Sequence, residues 1–335
     1  MNPVRPDEKI LWVTWEDQRR NRSVSKAVGA RLLEISGAGQ GRLGRYVRST
    51  VRTVGTVLRE RPDFIVASNP SIVLASLALV LGRSLGRPVL IDAHNAGLDP
   101  PGGEGSLLHW VASAVTRGAD VTVVHNDDLV DDVRHRGGRP FVLPDPVPDL
   151  AEAPEPVKPS AFQGKHNVLY VCTYDFDEPY LEVVEAGRLL GADVCIAITG
   201  RKVERILAAN PPSNVIPTGY LPEADYVGAL RAADVVMVLT TRESCAQCGA
   251  YEAVSAGVPM VLTGTATLRR IFSRGAVYTE NRAAAIARAI EEAIRRRAEL
   301  AAEVARLRDE LVLGWNERLR GFHGILQELA RRRST

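Results

Sequence analysis

The chain alternates short, almost wholly apolar runs with longer segments whose apolar positions recur every three to four residues. In the first half the short runs are ILWVT at Ile10, FIVAS at Phe64, VLIDAH at Val89, VTVVH at Val121 and FVLP at Phe141. Runs that are apolar on both faces and rich in β-branched residues predict strands of a parallel sheet covered on both sides. Helix-length segments between them, including Ser71–Leu85 and Ser106–Arg117, supply the crossovers that parallel strands require. From Asp145 to Pro159 the chain reads DPVPDLAEAPEPVKP; its prolines exclude helix and central strand and predict an extended linker.

The alternation then resumes with NVLYVC at Asn167, VCIAITG at Val194, NVIPTG at Asn214, VVMVLTT at Val235, VPMVLTG at Val258 and AVYTE at Ala276. Two long helical stretches follow, Arg282–Leu313 and Trp315–Arg333, divided at Gly314. The pattern predicts an α/β chain with two Rossmann-like, doubly wound parallel-sheet domains. The first covers 1–146, a Pro-rich linker 147–164, the second domain 165–313, and a C-terminal helix at 314–335 packs back towards the first domain. Ligands in such folds bind beyond the carboxyl ends of the strands, so function is expected in those loops, facing a cleft between the domains.

Length and composition fit this division: 335 residues exceed what one hydrophobic core usually serves. A formal charge of +2 gives no overall field for nucleic acid, which is not expected as a partner. Four cysteines in so long a chain do not form a disulfide framework, and no signal-peptide pattern opens the sequence, so a reducing cytoplasm is expected. The longest apolar stretch, Ile72–Leu81, is about half of the roughly 20 residues that span a bilayer.

The densest set of unusual residues lies between Val235 and Thr265, VVMVLTTRESCAQCGAYEAVSAGVPMVLTGT, where a strand is expected to end near Thr241 and a helix to begin near Cys248. Gly249, Glu252, Ala253, Gly257 and Pro259 resemble the Gly-x-x-Glu-Ala helix start and Gly-x-Pro strand of the GT-B glycosyltransferases, in particular the family-4-like group (glycosyl transferases group 1). The resemblance implies the GT-B fold, a nucleotide-diphosphate sugar as donor and no further cofactor or metal. It places Glu252 on the ribose hydroxyls, within the first turn of its helix, with the amides of Cys248, Gly249 and Ala250 facing the diphosphate. Glu243 and Glu252 have eight residues between them, one more than in many members, so Glu243 is a secondary donor-site candidate. The stretch TGYLPEADYVGALRAADVVM resembles the family's base-binding segment and puts Gly219, Tyr220 and Leu221 at the nucleobase. The family's phosphate-binding cations usually follow the first strand of the second domain, where this chain reads TYDFDEPY with none; Arg201, Lys202 and Arg242 are the substitutes. Cys245 and Cys248 form a Cys-x-x-Cys, but inside this segment and without a second pair they do not predict a redox or zinc site.

In the first half, WEDQRRNRSVSKAVGA follows the first strand without a Gly-x-Gly-x-x-Gly pattern. Arg19, Arg20, Arg22 and Ser23 are candidates for binding an anionic acceptor at a helix start, such as a lipid-linked phosphate. The run VLIDAH carries Asp92 and His94 at its end; the resemblance puts a histidine near the reacting sugar, making these two the catalytic candidates, with His125 expected to pack between the domains. Leu43–Glu60 is a basic amphipathic helix with two readings: its apolar residues pack on the sheet, or they lie on an anionic membrane. The function implied is transfer of a sugar, hexosyl and with retention, to an acceptor hydroxyl, with a lipid-linked glycan intermediate of polysaccharide or glycoconjugate synthesis as the candidate acceptor. A non-catalytic GT-B-like scaffold subunit and a nucleotide-sugar epimerase are the alternatives.

Overall fold

A computed structural model describes residues 8–36, 41–98, 106–150 and 160–334. They fall into two compact units, the first comprising the residues up to Pro146 together with Leu313 onward, the second Val147–Val312.

The first unit contains β1 (Ile10–Thr14), α1 (Arg19–Ala27), β2 (Arg31–Glu34), α2 (Arg42–Glu60), β3 (Phe64–Asn69), α3 (Ile72–Leu85), β4 (Val89–Ala93), α4 (Asn95–Leu98), α5 (Leu107–Gly118), β5 (Val121–Val124), α6 (Val130–His135) and β6 (Pro140–Val142). Its six strands are all parallel, in the order β2-β1-β3-β4-β5-β6. β1, β3, β4 and β5 are buried along their whole length, which is why the sequence shows them as unbroken apolar runs. β2, RLLE, escapes that pattern: it is an edge strand with only Leu33 buried. Alternate strand residues point to opposite faces. Leu11, Val13, Ile65 and Ile91 meet α3 and α5 on one face, and Trp12, Phe64, Val66 and Leu90 meet α1 and the end of the chain's last helix on the other.

The second unit contains β7 (His166–Tyr170), α7 (Tyr180–Leu189), β8 (Val194–Thr199), α8 (Glu204–Ala208), β9 (Val215–Gly219), α9 (Glu223–Ala232), β10 (Val235–Val238), α10 (Cys248–Ala256), β11 (Met260–Thr263), α11 (Ala266–Ile271), β12 (Ala276–Thr279), α12 (Ala283–Arg295) and the start of α13 (Arg297–Ser334). Its parallel order is β12-β11-β10-β7-β8-β9. Chain direction across the sheet reverses between β7 and β10, and in the first unit between β1 and β3; at such switch points the strand-end loops diverge and leave a crevice.

The Pro-rich segment is held at its described ends: Ser255 donates to the Pro148 carbonyl at 2.5 Å, Arg231 to that of Leu150 at 2.5 Å, and Ala161 and Phe162 are buried in the second unit's core. Residues 151–159 lie outside the described residues. The division of the terminal helices differs from the sequence expectation. The helix breaks at Arg296, and Gly314 lies inside the continuous α13. Leu300, Val304 and Leu307 are buried in the second unit's core and Phe322, Leu326 and Leu329 in the first unit's. That burial outweighs the roughly 1 kcal/mol that an interior glycine costs a helix. Among the described residues no helix is long and apolar enough to cross a membrane.

Candidate functional site

The second unit's candidates gather at its switch point. The loop after β7 and the loop after β10 are tied together by Asp177: its backbone carbonyl accepts from the Thr241 amide at 2.8 Å and its carboxylate from the Thr240 hydroxyl at 3.0 Å. Arg242 joins this knot, its Nε 3.3 Å from Asp177 Oδ2 and its guanidinium over the Phe176 ring at 4.8 Å. Glu178 closes the β7 loop on itself by accepting from the amides of Thr173 and Asp175. Arg205, a cation the sequence reading missed, donates to the Tyr174 carbonyl at 2.6 Å.

Helix α10 starts directly on this knot. Gly249 lets it do so, because a Cβ there would stand 3.0 Å from Val171 Cγ1 and 3.2 Å from Val238 Cγ2. Gln247 precedes the helix and donates to the Leu239 carbonyl, and its Oε1 is buried without a hydrogen-bond partner. Two expectations for α10 are corrected. The Ala250 amide is bonded to the Gln247 carbonyl at 3.1 Å, so it is not offered to a ligand as Cys248 and Gly249 are expected to be. Glu252 is the fifth residue of α10, just past the first turn; it is buried, and the Tyr226 hydroxyl of α9 donates to its Oε2. Glu243 is exposed.

The ends of β8 and β9 form the site's other wall. Gly219 has φ +73° and Gly200 φ +120°, conformations that side-chain-bearing residues rarely adopt. A Cβ on Gly200 would also lie 2.5 Å from the Tyr174 ring. Arg201 stacks on the exposed Tyr220 ring at 3.8 Å, Lys202 is exposed, and Leu221 is half-buried against the core.

In the first unit, the candidates around β4 form a buried charge network. Arg20 reaches Asp92 (Nη2–Oδ1 2.8 Å), Asp145 (Nη1–Oδ1 2.6 Å) and the Leu143 carbonyl (2.9 Å). Burial opposes ionisation of Asp92, but Arg20, with His94 behind it, outweighs burial and holds the carboxyl well below the usual carboxylate range. Burial likewise works against the Arg20 charge, and the two carboxylates overcome it. His94 Nε2 lies 3.5 Å from Asp92 Oδ2, and its ring centroid is 6.3 Å from that of His125. Burial first, then Arg20 and His94, lower the His125 pKa to about 4. The backbone at His94 is fixed by its amide bond to the Asn69 carbonyl, and Gly97 packs α4 onto β3 so closely that a Cβ would stand 2.1 Å from that same oxygen.

The acceptor-site and catalytic candidates of this unit are engaged with one another. Arg20 and Asp92 are 5% and 0% exposed and are paired together, with Asp145 and His94 beside them. Arg22 is in ion pairs with Asp17 and Glu34, each at 2.8 Å, and the Ser23 hydroxyl donates to the carbonyls of Arg19 and Arg20 within α1. Arg19 is half-buried on the same turn. His94, about one-fifth exposed, is the network's outlet to solvent. Asp145 was hidden from the sequence reading in the Pro-rich segment, and Tyr226 among ordinary helix residues.

The two sheet orders, each with its loops gathered at a switch point, are those of doubly wound Rossmann-like units. Residues 10–144 match the family described as glycosyl transferase 4-like domain and residues 156–307 the family glycosyl transferases group 1; the chain belongs to the family-4-like GT-B glycosyltransferases. Its fold is similar to that of sucrose-phosphate synthase from Thermosynechococcus elongatus (TM-score 0.75, 15% identity, 96% of this chain and 99% of the other). It is also similar to a UDP-forming α,α-trehalose-phosphate synthase from Burkholderia xenovorans (0.71, 14%, 96% and 99%). HepE from Anabaena in complex with UDP-glucose is a third (0.69, 14%, 97% and 99%). No curated protein matches the chain.

Proposed function

We propose that the chain transfers a hexosyl group from a nucleotide-diphosphate sugar to an acceptor hydroxyl, with retention at the anomeric carbon. The observation that carries this reading is the placing of Glu252, one turn into a helix that starts at the second unit's switch point. There a carboxylate suits ribose hydroxyls, and the amides of Cys248 and Gly249 suit a diphosphate. Tyr226 orients that carboxylate. Tyr220, stacked by Arg201, offers the face of a ring to a base, and Arg201, Lys202 and Arg242 are the cations at hand to offset charge on the leaving diphosphate. The UDP-glucose held by HepE supports a nucleotide-sugar donor.

His94 serves the acceptor side. A proton on Nε2, directed at Asp92, leaves Nδ1 as the basic nitrogen, able to accept from a sugar or acceptor hydroxyl. The acceptor is a lipid-linked glycan intermediate of polysaccharide or glycoconjugate synthesis, and the chain works on the inner face of a membrane.

Calorimetric titration with UDP-, GDP- and dTDP-sugars, followed by a radiolabelled transfer assay on lipid-linked acceptors, tests the proposal. Absence of binding to every donor would sink it. A scaffold role without catalysis is favoured by one observation, the cation-free and self-closed loop after β7; donor binding without transfer or donor hydrolysis is its signature.

A further inference from the structure

Helix α2 packs on the first unit through Tyr46 and Val57 and turns a second set of apolar residues outward. Its buried side is Ser49, Thr53, Thr56 and Val57, with Trp15 Nε1 donating to Thr53 Oγ1 at 3.0 Å. Its outward side carries Leu43, Val47 and Val51, 79%, 56% and 65% exposed, one turn apart along a single stripe. Of the apolar residues expected on the sheet, Tyr46 packs there, whereas Leu43, Val47, Val51 and Leu58 face outward. Arg48 and Arg52 run beside the stripe and make no ion pair among the described residues; Glu60, at the far end, is the helix's one acid.

Length explains where this stripe lies. Nineteen helical residues span about 28 Å, whereas strands of four to six residues span roughly 13–20 Å. A crossover helix runs back from the carboxyl edge of a parallel sheet to its amino edge, so the first turns of α2 overhang the carboxyl edge, where His94 lies. The neighbouring crossover helices of the same layer begin at that edge too, and they expose Val73 on α3 and Leu107 and Trp110 on α5, Trp110 by 69%.

We infer that this overhanging rim of the first unit docks on an anionic lipid bilayer. Exposed arginines without an acid partner among the described residues, set beside an aliphatic stripe, complement a surface that is both anionic and apolar. A bilayer surface matches all three components: aliphatic side chains enter the acyl boundary, a tryptophan sits at headgroup level, and guanidinium groups meet lipid phosphates. The inference deepens the lipid-linked-acceptor reading and rests on it for its purpose, since docking brings the His94 edge to the depth of a lipid pyrophosphate.

Flotation of the full chain with vesicles of phosphatidylcholine alone, or mixed with phosphatidylglycerol, tests it. The wild type is expected to float with the anionic vesicles, to stay behind with neutral ones, and to be released by high salt. L43S/V47S and R48Q/R52Q are each expected to lower partition about tenfold, with unchanged thermal midpoint and unchanged nucleotide-sugar binding. Wild type that ignores anionic vesicles, or variants that float as the wild type does, would overturn it. So would light scattering that finds a dimer which the variants split. Because no donor is present, flotation together with failed nucleotide-sugar binding leaves the surface standing and removes the donor reading instead.

Discussion

Arg20 and Asp92 meet as a fork on a carboxylate, Nη2 2.8 Å from Oδ1 and Nε 3.4 Å from Oδ2, with almost no solvent contact on either side chain. Removing one partner strands a buried charge, so Arg20→Gln is expected to cost about 3–5 kcal/mol of stability in urea unfolding. A change under about 1 kcal/mol would mean that the pair is not buried as described. Asp92 also gives a pH dependence. Its folded pKa is depressed, so its contribution is fully present above the unfolded value of about 3.9 and is lost as pH falls through the folded value.

His125 acts in a different pH range. Its pKa falls from 6.5 to about 4 on folding, so between those values the unfolded chain binds more protons and stability rises with pH. The contribution is complete above pH 6.5 and fades as pH drops towards 4, by about 3 kcal/mol in all. His125→Gln should flatten the stability curve between pH 4 and 6.5; an unaltered slope would assign the effect to another group.

For the donor, Glu252→Gln is expected to weaken nucleotide-sugar binding by about 1.5–3 kcal/mol through loss of a charged hydrogen bond. The measurement is calorimetry beside a thermal melt that shows the variant folded. Unchanged affinity removes Glu252 from the ribose.

His94→Ala is expected to abolish turnover and keep donor affinity, since it lies in the first unit and the donor residues in the second. Wild-type turnover in this variant would falsify its role.

Gly200→Ala places a Cβ at φ +120°, 2.7 Å from the Cys172 carbonyl and 2.5 Å from the Tyr174 ring. Backbone strain and overpacking together should cost about 2–4 kcal/mol and displace the β7 loop. The check is chemical denaturation paired with donor titration, and a neutral result would contradict the packing of that loop.

Much of the fold was legible because buried parallel strands have no polar side to disguise them; ILWVT and VCIAIT are buried at every position. RLLE was not legible, because an edge strand with one buried residue lacks that signature. Gly314 misled because local propensity marks a stop, whereas the packing of Phe322 and Leu326 decides. In the site, Glu252 and His94 stood out through their motif and strand-end position. Their partners did not: Tyr226 is 26 residues from Glu252, and Asp145 is 125 from Arg20. Such pairings exist only once the chain has folded. The orientation of α2 escaped for a related reason, since the Trp15–Thr53 hydrogen bond, Tyr46 and Val57 supply its attachment while Val47 and Val51 face outward.

The path of α13 sets an order of events during synthesis. The second unit is one unbroken stretch, Val147–Val312, and can close as soon as it has left the ribosome. The first unit waits longer. Trp12, Phe64 and Leu90 need Phe322, Leu326 and Leu329 to cover them, and those residues emerge only after the whole of the second unit has been made. That face of the first sheet therefore gains its full cover only once α13 has been made.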